Sequence, residues 1–340
     1  MIPTDRSAQR WVSCADGIVA ADGLGTTLMH EHVLAVSAAL ARDQPELAYP
    51  GGKSAVIDGL VDQLGRVKSL GIDTIVDLSV YGHDRDVAAL AEIGSRSGMH
   101  IVVATGFYTE DLPPKTFEIR QRISGDFYAR VMRSDIIDGI ADTGITAGII
   151  KCVSGVGGLT PAVTDLLTAA AEVAGETGVP ITTHTEAAER NGLDQLRWFA
   201  ACGVDLSRVI IGHSGDTTDL DYLMAILDTG ASIGSDRFGF YTPKSPTLAQ
   251  RVGVIADLCA RGYSGQIVLS HDCMLYTDWF GPQGLTNVYP DWTMTHISTA
   301  VIPALAAAGV SDSDIRTMMV DTPARLLGRA HTGSDSRGLK

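Results

Sequence analysis

The feature that most constrains this fold is a rhythm repeated eight times along the chain. Each unit is a short β-branched apolar run, then a polar or Gly-bearing loop, then an amphipathic helical stretch. The apolar runs fall at 27–32, 74–78, 101–105, 147–152, 181–184, 209–212, 231–234 and 267–269. Helical patterns follow them, as at 161–177, 192–201 and 222–228. Gly71-Ile72, Gly178-Val179-Pro180 and Gly203-Val204 read as helix ends that lead into the next strand. Alternating β and α elements predict parallel strands joined by crossover helices, and eight units close most simply into a single (β/α)8 TIM barrel. An open doubly wound sheet shares this alternation, but neither GxGxxG nor a Walker loop follows the first strand. At 340 residues the chain suits a barrel of ~250 residues with insertions.

Residues 1–25 are expected to form an N-terminal hairpin extension. Trp11-Val12-Ser13 and Ile18-Val19-Ala20 flank Ala15-Asp16-Gly17, and the Asp-Gly pair signals a tight turn. Such a hairpin would cover the bottom or flank of the barrel. Residues 26–330 would form the catalytic barrel, and the polar tail 331–340 would fray.

A net charge of −14 without any Lys/Arg block disfavours nucleic-acid partners and points to small or neutral substrates. Cys14, Cys152, Cys202, Cys259 and Cys273 are scattered, as befits a reducing cytoplasm better than a disulfide framework. No apolar run approaches ~20 residues, and the opening MIPTDRSAQRWVSCADG lacks a signal-peptide core. The expectation is a soluble, cytoplasmic protein without membrane partners.

The sharpest local signal is GTTLMHEH at 25–32. On a strand, residues i and i+2 share a face, so His30 and His32 converge while Glu31 turns away. Two imidazoles at one strand end make a natural ligand pair for a borderline cation, although satisfied core histidines give the same pattern. The other strand ends sharpen the choice. The run at 181–184 ends in His184, the run at 209–212 leads into His213, and the run at 267–269 leads into Ser270-His271-Asp272. In a parallel barrel these ends surround one mouth, where such enzymes keep their chemistry.

Lys151, ending the run Ala147-Gly148-Ile149-Ile150, belongs at the same mouth. An ammonium among cations would be repelled and lose its charge. A carbamate formed from the neutral amine and CO₂ is one solution, and it could bridge two cations. A Schiff-base lysine, as in a class I aldolase, is another. An ordinary surface lysine is the bland reading.

These residues, taken together, resemble the phosphotriesterase family of the amidohydrolase superfamily. GTTLMHEH matches its N-terminal signature, and Val80-Tyr81-Gly82-His83-Asp84-Arg85-Asp86 lies where its second signature falls. The resemblance implies that His30, His32 and Asp272 hold a more buried divalent metal, and that His184 and His213 hold a more exposed one. Lys151, as N6-carboxylysine, and a hydroxide nucleophile would bridge the two. Asp272 would accept the nucleophile's proton. Zn²⁺ suits this donor set best, with Co²⁺, Mn²⁺ and Fe²⁺ also acceptable. A homodimer is implied as well.

Within the family, Ala104-Thr105-Gly106-Phe107-Tyr108 is similar to the phosphotriesterase-like lactonases. Tyr108 would then orient the lactone or the leaving alkoxide. Ser235-Asp236-Arg237-Phe238-Gly239 resembles the lactonase Asp-Arg-aromatic-Gly element and brings Arg237 near the pocket. An Asp236–Arg237 structural network is the plainer reading there. Phe107, Trp279 and Met274 are expected pocket residues. The loop 152–158, the compact seventh loop 240–246 and Met274 depart from the family's pattern at positions that set substrate choice.

The implied activity is hydrolysis of hydrophobic lactones, N-acyl-homoserine lactones included, with organophosphate hydrolysis on the side. Alternatives are a dedicated organophosphate triesterase, an amide hydrolase on the same centre, and a metal-binding protein without catalysis. His83, His100, His271, His296 and Cys273 are read as packing or supporting residues.

Overall fold

The chain enters on a turn that its sequence announces. In the computed structural model, which describes residues 9–108, 115–280 and 287–330, strand β1 (Arg10–Cys14) turns back into β2 (Gly17–Ala20). Cys14 pairs with Gly17, leaving Ala15 and Asp16 as the turn, and Gly17 has φ +131°, a region open to glycine. The tail 331–340, expected to fray, lies outside the described residues.

Eight parallel strands follow, paired in chain order. They are β3 (Thr27–Glu31), β4 (Thr74–Asp77), β5 (His100–Gly106), β6 (Ile149–Val153), β7 (Ile181–His184), β8 (Val209–Ile211), β9 (Ser232–Ser235) and β10 (Ile267–Leu269). A last short strand, β11 (Arg329–Ala330), pairs with the free side of β1. The expected two-stranded hairpin is thus a three-stranded antiparallel sheet, because the chain's end returns to its start.

Strand alternation divides the apolar side chains into two cores. Met29, Val76, Val102, Ile149, Ile210 and Val268 fill the barrel interior, in one cluster with Val12, Cys14 and Leu24 of the extension. Leu28, Ile75, Ile101, Ile150, Ile181 and Leu269 face the helical layer outside. The extension covers the barrel's N-terminal end: Ala15 N–H donates to Ile101 O at 2.7 Å, and Ser13 Oγ donates to Thr146 O at 2.9 Å.

Helix ends follow their local chemistry. In the helix Pro161–Thr177, Thr160 accepts from Val163 N–H at the start, and Gly178 at φ +68° closes the end. Among the described residues no helix is long and apolar enough to cross a membrane.

The barrel closes at its C-terminal mouth, beyond the ends of β3 and β10. Asp272 N–H donates to His30 O at 3.0 Å, His32 N–H to Cys273 O at 2.9 Å, and Leu275 N–H to His32 O at 2.9 Å. The seam is therefore stitched by the backbone of His30, His32 and Asp272, three of the residues expected at the metal centre.

Candidate metal centre

Five of the barrel strands carry the candidate residues: His30 and Lys151 within β3 and β6, His184 at the end of β7, and His32, His213 and Asp272 just beyond β3, β8 and β10. On β3 a register irregularity between Leu28 and Glu31 lets Met29, His30 and His32 all reach the barrel interior. His32 Nδ1 meets Ser79 Oγ at 2.9 Å. Lys151 leaves β6, fully buried, with Nζ 3.1 Å from His30 Nε2. Its neighbour across the ladder is Gly106, at φ +131°, where any Cβ would overlap the Lys151 carbonyl. His184 ends β7, and His213 follows β8.

Two of these residues hold a backbone shape that L side chains rarely adopt: His213 at φ +58° and Asp272 at φ +53°. Each is pinned by its own amide, His213 N–H to Asp236 Oδ1 at 2.8 Å and Asp272 N–H to His30 O at 3.0 Å. Strain of ~1–3 kcal/mol held by surrounding bonds is typical of functional sites.

Asp236 serves two rings. His30 Nδ1 donates to its Oδ2 at 2.7 Å, and His213 Nδ1 donates to its Oδ1 at 3.1 Å. With Nδ1 of both rings turned to Asp236, the Nε2 atoms of His30 and His213 face the cavity. Burial and the nearby Arg237 guanidinium hold His213 well below the usual imidazole range, and burial lowers His184 as well. Both are neutral at physiological pH, as metal ligation requires.

Asp272 Oδ1 lies 3.2 Å from both His30 Nε2 and His32 Nε2. Burial alone would raise its carboxyl, but His30 and His213 hold it well below the ordinary range. Its Oδ2 accepts from Arg237 Nε at 3.0 Å. Arg237 also donates to Asp216 Oδ2 at 2.9 Å, and the fully buried Arg251 holds the other oxygen of Asp216 at 2.7 Å. Asp236 and Arg237 serve different partners within one hydrogen-bond network around the site.

The donor set fits divalent cations. Ligand atoms of His30, His32 and Asp272 all lie within 4.8 Å of one another. His184 Nδ1 and His213 Nε2 stand 2.9 Å apart, while His184 Nε2 is buried without a hydrogen-bond partner. Imidazole nitrogens with one carboxylate match the preferences of Zn²⁺ and its neighbours. His30, His213 and Asp236 also cluster within that distance. Their contacts run through the protonated Nδ1 atoms and read as orienting hydrogen bonds.

The cavity above this floor opens to solvent and spans about 610 Å³, open solvent included. Tyr108, Arg237 and Met274 line it together with the four histidines, Lys151 and Asp272. Phe107 does not: it packs at 2% exposure against Tyr81, Phe117 and Tyr128 in the outer core, on the opposite side of the chain from Tyr108. Trp279 is 45% exposed and stacks on His83 with centroids 5.6 Å apart, flanking the lining rather than joining it.

Other lining residues were not among the expected pocket residues, although Phe240 opens the seventh loop expected to set substrate choice. His83, read as a packing residue, borders the cavity with its ring 4.7 Å from His32 and 4.2 Å from Tyr108. Phe240, Phe280 and Trp292 add an apolar wall, and Trp292 is fixed by Nε1–H donation to His271 O at 2.8 Å. His271 itself turns away, giving Nδ1–H to Glu31 at 2.6 Å and accepting from Ile297 N–H at 3.0 Å. Its position beside Asp272 in the chain would otherwise suggest a ligand. His296 bonds Tyr241, His100 bonds Asp16, and Cys273 is buried beside Trp292.

Comparison with known proteins follows the same lines. The model of the phosphotriesterase family matches residues 11–327. A phosphotriesterase homology protein from Mycobacterium tuberculosis is 42% identical over 326 residues, covering 94% of this chain and 98% of that protein. An aryldialkylphosphatase from Saccharolobus solfataricus is 34% identical over 305 residues, covering 88% and 94%. A solved mutant of a PTE-like lactonase from Deinococcus radiodurans superimposes with a TM-score of 0.85 at 34% identity, covering 93% of this chain and 100% of that one. The barrel, the signature histidines and these likenesses agree: the chain belongs to the phosphotriesterase family and is a hydrolase acting on esters.

Proposed function

We propose that this enzyme is a binuclear metal-dependent lactonase for neutral hydrophobic lactones, N-acyl-homoserine lactones included, with organophosphate hydrolysis as a side activity. The observation that carries the reading is the cavity's division into a polar floor and the apolar wall of Phe240, Met274, Phe280 and Trp292. Arg237, the guanidinium at that floor, is already committed to Asp272 and Asp216. It offers little to an anionic substrate, so a neutral acyl group against an aromatic wall fits best.

His30, His32 and Asp272 would hold one cation, His184 and His213 the second, with Lys151 as N6-carboxylysine between them. Burial lowers the Lys151 amine to about 8, against the pull of Asp272 and Asp236, so a useful fraction is neutral near physiological pH. The neutral Nζ can add to CO₂, releasing a proton and leaving a carbamate anion. When bound, the cations would supply an acidified water and a Lewis-acid contact for the scissile carbonyl or phosphoryl group.

The chain's own residues do the rest. Asp236 fixes the ring orientation of His30 and His213. Asp272 receives the nucleophile's proton at a carboxylate oxygen, and Arg237 keeps that carboxylate aimed. Tyr108 orients the lactone or the departing alkoxide, and the aromatic wall shields the acyl chain from water.

The test compares kcat/KM for an N-acyl-homoserine lactone and for paraoxon on metal-loaded enzyme. The lactone should be preferred, and both activities should vanish on chelation and return with metal. A dedicated organophosphate triesterase is the second reading, favoured by the name of the 34%-identical Saccharolobus relative. A clear preference for paraoxon would establish it instead. The homodimer implied by the resemblance is a further proposal, read directly by light scattering.

A further inference from the structure

The imidazoles of this site are unequally supported. His30 and His213 give Nδ1 to Asp236, and His32 meets Ser79 through Nδ1. His184 is oriented the other way round. Its Nδ1 faces His213 Nε2 at 2.9 Å, so Nδ1 is the nitrogen turned toward the fellow ligand. Its Nε2 is buried and meets no hydrogen-bond partner. A buried N–H left unpaired costs ~1–3 kcal/mol, and ligating histidines almost always give that proton to an acceptor.

One acceptor stands nearby. Glu186 Oε1 lies 3.6 Å from His184 Nε2, too far for a full bond but directly beside it. The backbone of Glu186 is fixed, since its N–H donates to Asn191 Oδ1 at 2.9 Å and the buried Asn191 donates onward to Gly155 O at 3.1 Å. The side chain, 35% exposed, retains the freedom to close the remaining few tenths of an ångström. Asp236 cannot do this work, because its two oxygens already serve His30 and His213.

We infer that Glu186 is a positioning residue for the more exposed cation: it accepts the Nε2–H of His184 and so directs Nδ1 to the metal. This rests on the reading that His184 and His213 hold a cation. It goes further by giving the exposed cation a support of its own: Asp236 serves one ligand of each cation, His30 and His213, while Glu186 at the rim serves only His184. Affinity for the exposed cation is then adjustable without disturbing the buried one.

The test is a Co²⁺ titration of chelator-stripped full-length protein in bicarbonate buffer, competed against a chromophoric chelator. Wild type should take up two equivalents. In Glu186→Ala one equivalent should weaken 10- to 100-fold while the other stays unchanged. Glu186→Gln, whose amide oxygen still accepts, should recover part of the loss. Two wild-type equivalents with Glu186→Ala binding both at wild-type affinity would overturn the role of Glu186. So would a parallel weakening of both with a lowered Tm, the mark of a merely structural residue. A wild-type chain that binds one equivalent or none would overturn the two-cation reading and this inference with it.

Discussion

Glu31 Oε1 and His271 Nδ1 meet at 2.6 Å in a fully buried contact that ties β3 to the segment carrying Asp272. The same carboxylate accepts from Ser270 Oγ at 2.8 Å and from the His271 and Cys273 amides at 3.0 Å. The residue between His30 and His32 thus clamps the backbone on both sides of Asp272, whose left-handed φ needs such restraint. Removing that carboxylate strands a buried imidazole N–H and the hydroxyl and amide donors beside it, at ~1–3 kcal/mol or more for buried donors left unsatisfied. Glu31→Ala should therefore lower stability by about that amount, read from the denaturant midpoint, and bind metal poorly even where it folds. Unchanged stability would remove the clamp.

Lys151 carries the opposite stability effect. Its folded pKa is depressed to about 8 by burial, from 10.5 unfolded. The unfolded chain therefore holds more protons between those values, and the metal-free fold gains stability as pH rises through them. Below pH 8 the buried ammonium costs the metal-free fold on the order of 3 kcal/mol. Lys151→Met should raise the Tm of the stripped protein at pH 7, and its advantage over wild type should shrink between pH 8 and 10.5. The same variant should fail to hold two cations. A stripped Lys151→Met no more stable than wild type would show that the amine is not strained by burial.

Tyr108 borders the cavity with its ring 4.2 Å from His83 and 5.7 Å from His184. Loss of its hydroxyl in Tyr108→Phe should reduce kcat/KM for a lactone roughly tenfold, as for one hydrogen bond of ~1.4 kcal/mol, and reduce paraoxon turnover less. Equal losses on both substrates would remove the tyrosine from lactone orientation.

Much of this was legible from residue order because strand alternation and strand ends are local properties. His30, His32, Lys151, His184, His213 and Asp272 each stand at or just beyond an apolar run, and parallel pairing brings those ends to one mouth. What stayed hidden depends on partners distant in sequence. β11 joins β1 across more than 300 residues, with Arg10 opposite Ala330, and only the folded barrel brings them together. Asp236 stands next to Arg237 in the chain, yet each finds its own partners, Asp236 at His30 and Arg237 at Asp272, more than 30 residues away in sequence. His83, Phe240 and Trp292 sit in irregular loops without periodicity, so nothing in their spacing reveals that they face the cavity. Phe107 misled for the converse reason: it neighbours Tyr108 in sequence but faces the outer core.

The most direct measurement is anomalous diffraction from crystals grown with Zn²⁺ and bicarbonate. Two peaks should appear, one among His30, His32 and Asp272 and one beside His184 and His213, with continuous density extending from Lys151 Nζ between them. A single peak, or an unmodified Lys151 with no second ion beside it, would contradict the two-cation centre.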